Sequence, residues 1–348
     1  MIHFKAASNV DRLMFLFRED RQINREKLIQ TAFQAADHLN YPFPESKLMN
    51  VNKAETEKQT FDWLEKFFHL SNYPGKKAAI LQDDYIGFFA RAYPNIESAE
   101  LLTLVTCFGL WLFLYDDALE KLQNLSEVSA FHQKIASAMR GALNEKEDNP
   151  LFTSFSHLFG EIKKYANDVW LNRFIKEVTA YCDATYWEAE CRFQQKIPDL
   201  ETYLQKRLDS SGTLLMFSFL DIDASDTLPE SVFFHANFQS FRCCCANLVN
   251  YNNDLRSFPK EWRDGEFFNL VMVFKNKLNC SFEEAIQETS KLYNMESAYY
   301  SDNKNILPDK FGVLGVLVKK NIDNMEKWIA GYNYWSKRTP RYQLKSKI

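Results

Sequence analysis

The sequence predicts an all-α fold made of one domain, on three observations. The chain has 348 residues but only 10 Gly and 10 Pro, below the average shares of about 7% and 5%, and strand-rich folds depend on these turn formers. Apolar side chains recur at helical spacing along most of the chain. No alternation of short strands with helices interrupts that spacing, so a parallel sheet is not expected.

The apolar spacing predicts long helices that are separated by a few proline-containing turns. Ser98 is the predicted N-cap of the most apolar one. Residues 1–37 are also compatible with a helix and are predicted to form an N-terminal extension to a main domain at residues 38–345. The predicted helices are Thr60–Leu70, Ser98–Glu120, Asp168–Gln195, Leu200–Leu220, Glu230–Leu255, Ser281–Tyr300 and Phe311–Trp335.

The charge balance excludes a nucleic-acid binder that works by bulk charge. There are 42 Lys and Arg against 46 Asp and Glu, a formal net charge of −4, whereas phosphate backbones need clustered cations. The longest nearly apolar run, Leu101–Tyr115, is shorter than the 18 or so residues of a membrane span, so no stable membrane insertion is expected.

The seven cysteines indicate a reducing compartment. Their number is odd and they include the run Cys243-Cys244-Cys245, which is not the spacing of a disulfide framework or a zinc site. The N-terminus lacks the apolar segment of a secretory signal. We therefore expect a cytoplasmic protein, either a monomer or a homodimer.

Three carboxylates crowd the end of the apolar helix predicted at Ser98–Glu120. Asp116 and Glu120 are i, i+4 neighbours, and Asp117 and Glu120 are i, i+3 neighbours. Like charges at this spacing repel each other unless a cation lies between them. Two interpretations follow from these residues alone, which are a metal site and a helix end that is solvated by water.

A second group of oxygen donors lies in a later helix. Asn253, Ser257 and Glu261 are spaced i, i+4, i+8, which keeps them on one face over about 12 Å of helix axis. An amide, a hydroxyl and a carboxylate are hard donors that suit Mg²⁺. Pro259 lies among them and removes one backbone hydrogen bond, so a kink between Ser257 and Glu261 is predicted.

The ordered pair of motifs, DDxxE at Asp116 and NDxxSxxxE at Asn253, resembles the two metal-binding motifs of class I terpene synthases of the single-domain microbial type. Arg207 and the following Ser210-Ser211-Gly212 resemble the diphosphate-sensing arginine of this family and the helix break after it. The pair Arg341-Tyr342 resembles the Arg-Tyr pair near the C-terminus of these enzymes. Tyr41-Pro42-Phe43-Pro44 and Trp63-Leu64 resemble the start of such domains. The chain departs from the pattern at Glu120, at Pro259 and at Ser210.

The resemblance implies an antiparallel helical bundle around a central cavity. It also implies Mg²⁺-dependent ionisation and cyclisation of an isoprenyl diphosphate, with three metal ions and Mn²⁺ as a possible substitute. Farnesyl diphosphate is favoured, and geranyl or geranylgeranyl diphosphate is the other option. The implied metal ligands are Asp116, Asp117, Glu120, Asn253, Ser257 and Glu261; the diphosphate donors are Arg207, Lys260, Arg341 and Tyr342; the substrate-binding residues are Phe89, Phe113, Gly212 and Trp335.

Two other functions stay open at this point. A chain-elongating prenyltransferase has the same fold, but such enzymes carry a double DDxxD pattern where this chain has one acidic motif and the Asn/Ser/Glu form. A non-catalytic helical scaffold predicts a lost ligand, and none of the expected ligands is missing. Core packing is the alternative for each aromatic residue, and a solvated surface charge is the alternative for each basic one.

Overall fold

The computed structural model describes residues 25–43, 47–223 and 226–342. In these ranges every regular element is a helix and there is no β-strand, so the predicted all-α class is confirmed. The fifteen α-helices are α1 (Arg25–Asp37), α2 (Lys53–Phe68), α3 (Pro74–Asp83), α4 (Tyr85–Ala92), α5 (Ala99–Leu119), α6 (Leu125–Met139), α7 (Pro150–Tyr165), α8 (Asp168–Gln194), α9 (Leu200–Ser210), α10 (Thr213–Phe217), α11 (Glu230–Phe233), α12 (Ala236–Asp264), α13 (Leu270–Leu278), α14 (Phe282–Asn303) and α15 (Gly315–Ser336).

Side-chain caps fix where several of these helices begin. The Ser98 side chain accepts a hydrogen bond from the Leu101 N–H and starts α5 at the predicted place. Ser281 starts α14 in a full capping box with Glu284. Such caps satisfy backbone N–H groups that have no partner inside the helix. The start of the two helices was therefore predictable from local sequence.

Two helices end elsewhere than predicted. α9 stops at Ser210 rather than at Leu220, because Gly212 adopts a left-handed backbone with φ of 70° that glycine tolerates best. α12 continues through Pro259 to Asp264 as one helix, since a proline removes only one backbone bond and the surrounding packing holds the rest. The helix therefore carries the whole Asn253–Glu261 motif.

The core joins the helices around α12. α12 packs against α14, α1 and α15, and α15 also packs against α4. Gly331 permits this last contact, because a Cβ there would lie 2.8 Å from the Ala92 nitrogen. α1 contributes Leu28 and Ala32 to the same core; the rest of the predicted extension, residues 1–24, lies outside the described residues, as do residues 343–345.

α5 is long and apolar enough to cross a membrane by length and composition alone. Its 21 residues include a window with a mean hydropathy of 1.4, and it extends beyond the predicted apolar run. In the fold, 61% of that window is buried inside the protein. A helix that is apolar on all sides is equally typical of a protein core, and here α5 packs against α2, α4 and α7.

His132 on α6 makes the stability of the fold depend on pH. Burial lowers the pKa of its imidazole from 6.5 to about 4, against an opposing effect of Asp183. Between these pH values the unfolded chain binds more protons than the folded one. The contribution of His132 to the free energy of unfolding is therefore expected to be at its full value above about pH 6.5 and to fall toward pH 4 by up to about 1.4 kcal/mol per unit.

Urea unfolding between pH 4.5 and 7.5 measures this effect. The His132→Gln variant keeps a polar side chain beside Thr185, whose Oγ1 lies 3.3 Å from His132 Nε2, but it does not titrate in this range. We expect the free energy of unfolding of the wild type, relative to that of the variant, to rise as the pH increases from 4.5 toward 6.5. Equal slopes for the two proteins would contradict the assignment to His132.

Candidate active site

A cavity of about 340 Å³ opens between α4, α5, α8, α9, α10, α12, α15 and the turn Pro340–Tyr342. It brings together side chains that are as far apart in sequence as Phe88 and Tyr342. Of the predicted site residues, all except Asp117 line it, namely Phe89, Phe113, Asp116, Glu120, Arg207, Gly212, Asn253, Ser257, Lys260, Glu261, Trp335, Arg341 and Tyr342. The convergence is a property of the tertiary fold.

The acidic motif forms one wall of the cavity at the end of α5. Burial and the nearby Glu120 raise the pKa of the Asp116 carboxyl to about 7, whereas Arg341 and Arg207 oppose that shift. Glu120 follows the last turn of α5 as its C-cap and is exposed. Asp117 does not line the cavity: its side chain is 48% exposed, and its Oδ1 lies 3.8 Å from Arg341 Nη2.

The second wall of the cavity is the face of α12 that carries Asn253, Ser257 and Glu261. Burial and the charge of Asp254 raise the pKa of the Glu261 carboxyl to about 7, and a hydrogen bond from Asn269 opposes that shift. The Asn269 Nδ2 group donates to Glu261 Oε2 at 2.8 Å. Continuation of α12 through Pro259 is what keeps the three donors on one face.

The two walls fit divalent cations of the hard type. Burial raises the pKa of both Asp116 and Glu261, and a cation bound beside them would favour their ionised forms. In the part of the chain that the structure describes, no group of three His, Cys, Asp or Glu residues could hold a metal by itself. Mg²⁺, which binds few protein ligands together with waters and phosphates, matches such a donor set.

Arg207 is held against the second wall by a buried acid. Its Nη2 donates to Asp254 Oδ1 at 2.8 Å and to Asn253 Oδ1 at 2.9 Å, and its Nε donates to Asp254 Oδ1 at 3.2 Å. Asp254 is 1% exposed and also accepts from the Tyr203 hydroxyl at 2.6 Å. The guanidinium therefore has a fixed orientation.

The pair Arg341-Tyr342 contacts residues of both α5 and α12. Arg341 Nη1 donates to the Tyr85 hydroxyl at 2.8 Å, and its guanidinium lies 5.1 Å from the centre of the Phe113 ring. Asn253 Nδ2 donates to the Tyr342 hydroxyl at 2.7 Å. A cation already occupies one side of Phe113, which leaves the remaining ring surface for any ligand.

The inner part of the cavity is aromatic. Trp335 is 2% exposed, and its ring lies 4.9 Å from that of Phe88 in a stacked arrangement. Phe89 rests directly on α5 at Gly109, where a Cβ would be 2.0 Å from its Cζ. Residue 109 must therefore be glycine for the Phe89 ring to fit where it lines the cavity.

Sequence reasoning missed several residues that line the cavity. Tyr181, Thr185 and Glu188 of α8 follow i, i+4, i+7 spacing, and so do Trp328, Tyr332 and Trp335 of α15, of which only Trp335 was predicted. This spacing is the signal that could have identified them. Spacing does not indicate which face of a long helix meets a cavity rather than the core. Ala246 and Cys245, which precede Val249 on α12, are buried in the core and do not line the cavity.

Comparison with known proteins decides the family. A family profile described as terpene synthase family 2, C-terminal metal binding, matches residues 107–297, more than half of the chain. The chain belongs to the terpene synthase family. The matched segment contains both walls of the cavity, from the end of α5 to the oxygen donors of α12.

Two relatives and one solved structure are similar to this terpene synthase over most of its length. A (+)-T-muurolol synthase ((2E,6E)-farnesyl diphosphate cyclizing) of Roseiflexus castenholzii is 27% identical over 87% of this chain and 93% of its own. A 4-epi-cubebol synthase ((2E,6E)-farnesyl diphosphate cyclizing) of Streptosporangium roseum is 26% identical over 86% and 90%. Germacradien-4-ol synthase of Streptomyces citricolor shares the fold with a TM-score of 0.75 at 24% identity, over 87% of this chain and 99% of that one.

Proposed function

We propose that this terpene synthase ionises farnesyl diphosphate in a Mg²⁺-dependent reaction and cyclises the resulting cation to a sesquiterpene, with release of diphosphate. The observation that carries the proposal is the composition of the cavity. Oxygen donors of α5 and α12 and three cationic side chains line it together with aromatic rings. A substrate with a highly charged head and an apolar chain matches this combination.

The cationic side chains are proposed to bind the departing diphosphate. Arg207, Lys260 and Arg341 line the cavity, as does Tyr342. Arg207 Nη1 is the part of its guanidinium that is not used by Asp254 or Asn253, so it can donate to a phosphate oxygen. Donors that are already oriented stabilise developing charge without reorganisation.

Asp116, Asn253, Ser257 and Glu261 are the residues proposed to hold the metal ions, with Glu120 beside them at the end of α5. Bound Mg²⁺ supplies Lewis-acid stabilisation of the leaving group. Asp117 has a different proposed role: its Oδ1 lies 3.8 Å from Arg341 Nη2 and helps to hold that guanidinium beside the cavity. The number of ions and the use of Mn²⁺ belong to the proposal as well.

The aromatic side chains are proposed to shelter the carbocation. Ring faces attract cations but are not nucleophiles, and Phe89, Phe113 and Trp335 line the cavity. Burial keeps out water that would quench a reactive cation. Gly212 lies at the break between α9 and α10, where its backbone reaches the cavity without a side chain in the way.

Cavity size and relatives support a C15 substrate. A volume of about 340 Å³ is near the lower end of the range of about 300–1,000 Å³ for ligand pockets, and a C20 chain has a third more carbon than a C15 chain. Both relatives described above are named for farnesyl diphosphate. A chain-elongating prenyltransferase is not favoured, because the second wall carries the Asn/Ser/Glu set instead of a second acidic motif.

Incubation with C10, C15 and C20 diphosphates, followed by gas chromatography, tests the proposal. With Mg²⁺ we expect cyclic products mainly from the C15 substrate, together with free diphosphate, and no turnover in excess EDTA. Addition of isopentenyl diphosphate should leave the products unchanged. Longer prenyl diphosphates as products would contradict the proposal in favour of the prenyltransferase, and turnover in EDTA would remove the metal from the mechanism.

A further inference from the structure

Asn269 caps α13, yet only half of its side chain serves as the cap. It is fully buried, and its Oδ1 accepts from the Val271 N–H at 2.9 Å. Its Nδ2 donates to the Asp254 carbonyl oxygen at 2.8 Å and to Glu261 Oε2 at 2.8 Å. A helix cap needs the oxygen alone, so the two N–H groups have a separate role.

The neighbours fix the orientation of this amide. A backbone N–H can only donate, so it must face the amide oxygen, whereas a carbonyl and a carboxylate can only accept and must face the amide nitrogen. The reversed amide would place oxygen against two acceptors. Every hydrogen-bonding atom of the Asn269 side chain therefore has a defined partner.

The start of α13 is fixed on α12 at a second point. The Leu270 N–H donates to Asp254 Oδ2 at 3.1 Å, and Asp254 in turn holds Arg207 and Tyr203. Asn269 is thus anchored by its own cap and by the adjacent backbone. It does not need to give up conformational freedom when it holds a neighbour.

Glu261 gains its position from this anchored amide. It lies in the last turn of α12, two residues after Pro259, where the helix lacks one backbone hydrogen bond. Asn269 engages Oε2, and the Ser257 side chain also forms a hydrogen bond with this carboxyl group. Ser257 Oγ lies 3.5 Å from the same Nδ2 group, so the amide lies beside two of the three proposed donors of this wall.

We propose that Asn269 is a positioning residue of the metal site: it presets Glu261, and with it the face shared by Ser257, before metal and diphosphate arrive. The inference rests on the proposed function, because it takes Glu261 as a metal ligand. Partners in the outer shell of a metal orient the ligands, and their loss typically weakens metal binding by 10–100-fold.

Asn269→Ser separates the two roles of the side chain. Serine keeps an oxygen that can cap α13 but has no amide N–H groups for Glu261 and Asp254. Asn50→Ser is the matched control, since Asn50 is 3% exposed and donates to two backbone carbonyls, those of Tyr93 and Ile96, outside the cavity. Asn269→Thr, which fills more of the vacated space, is the second variant if the serine form does not fold.

Mn²⁺ binding followed by electron paramagnetic resonance, with inorganic diphosphate present, gives a readout that is independent of turnover. We expect Kd for Mn²⁺ to rise by about 10–100-fold in Asn269→Ser and to stay near the wild-type value in Asn50→Ser, while thermal unfolding shows a similar decrease in Tm for both. The KM for Mg²⁺ should rise in parallel with Kd.

The possible outcomes separate the inference from the proposed function. An unchanged Kd in Asn269→Ser, with only Tm lowered, would reduce Asn269 to a helix cap and overturn the inference. An equal loss in Asn50→Ser would overturn it too, since the effect would then be general destabilisation. The proposed metal site itself would fail if the wild-type protein bound no Mn²⁺ in the presence of diphosphate. It would also fail if the Glu261→Gln variant bound Mn²⁺ as tightly as the wild type.

Discussion

Replacing Asn253 by leucine is expected to remove turnover almost completely. The change keeps the size of the side chain but deletes the Oδ1 donor on the α12 wall, and it also ends the hydrogen bonds to Arg207 and Tyr342. We expect the leaving group to lose about 4 kcal/mol of stabilisation in the transition state. This loss corresponds to a decrease in kcat of about 10³-fold. Steady-state release of diphosphate measures it.

Asn247→Leu is the matched control for this variant. It makes the same chemical change on the same helix, but Asn247 donates to Glu296 and does not line the cavity. We expect near-normal kcat for Asn247→Leu, and partial activity for Asn253→Asp, which keeps oxygen donors. Full activity of Asn253→Leu with normal Mg²⁺ dependence would exclude Asn253 as a ligand.

The second large effect is expected for Arg207→Lys. Lysine keeps the positive charge but loses the planar fork that bonds Asp254 and Asn253 and still presents Nη1 to a phosphate. Loss of one oriented transition-state donor costs about 2.7–4 kcal/mol, so kcat should fall by about 10²–10³-fold. The KM for the diphosphate substrate should change less than kcat.

Arg173→Lys provides the comparison for Arg207→Lys. Arg173 is another buried arginine paired with an aspartate, at 2.8 Å from Asp221, but it lies outside the cavity. This variant should lose Tm and keep kcat. A kcat for Arg207→Lys within about threefold of wild type would mean that Arg207 does not bind the diphosphate.

Local sequence was sufficient for the helical class and for several helix starts. Glycine and proline are scarce, and caps such as Ser98 and Ser281 act on N–H groups within three residues. Spacing within one helix also predicted that Asn253, Ser257 and Glu261 share a face. These features depend on helix geometry alone.

Local sequence misjudged features that depend on contacts between helices. α12 runs through Pro259 to Asp264 because neighbouring helices hold it. Asp117 does not line the cavity, and its Oδ1 lies 3.8 Å from Nη2 of Arg341, a residue of a distant segment. Neither this packing nor this contact is encoded in the spacing of one helix.

The sequence by itself determined which chemical groups this terpene synthase carries and in which order, because each motif is a local pattern. Tertiary structure decided which of them meet: Asp116 and Asn253 line the same cavity, whereas Asp117 does not line it. It also decided the support around them, such as the hold of Asn269 on Glu261 and of Asp254 on Arg207. The physical reason is that hydrogen bonds and packing act over a few ångströms in space, and only the complete fold brings distant segments within that range.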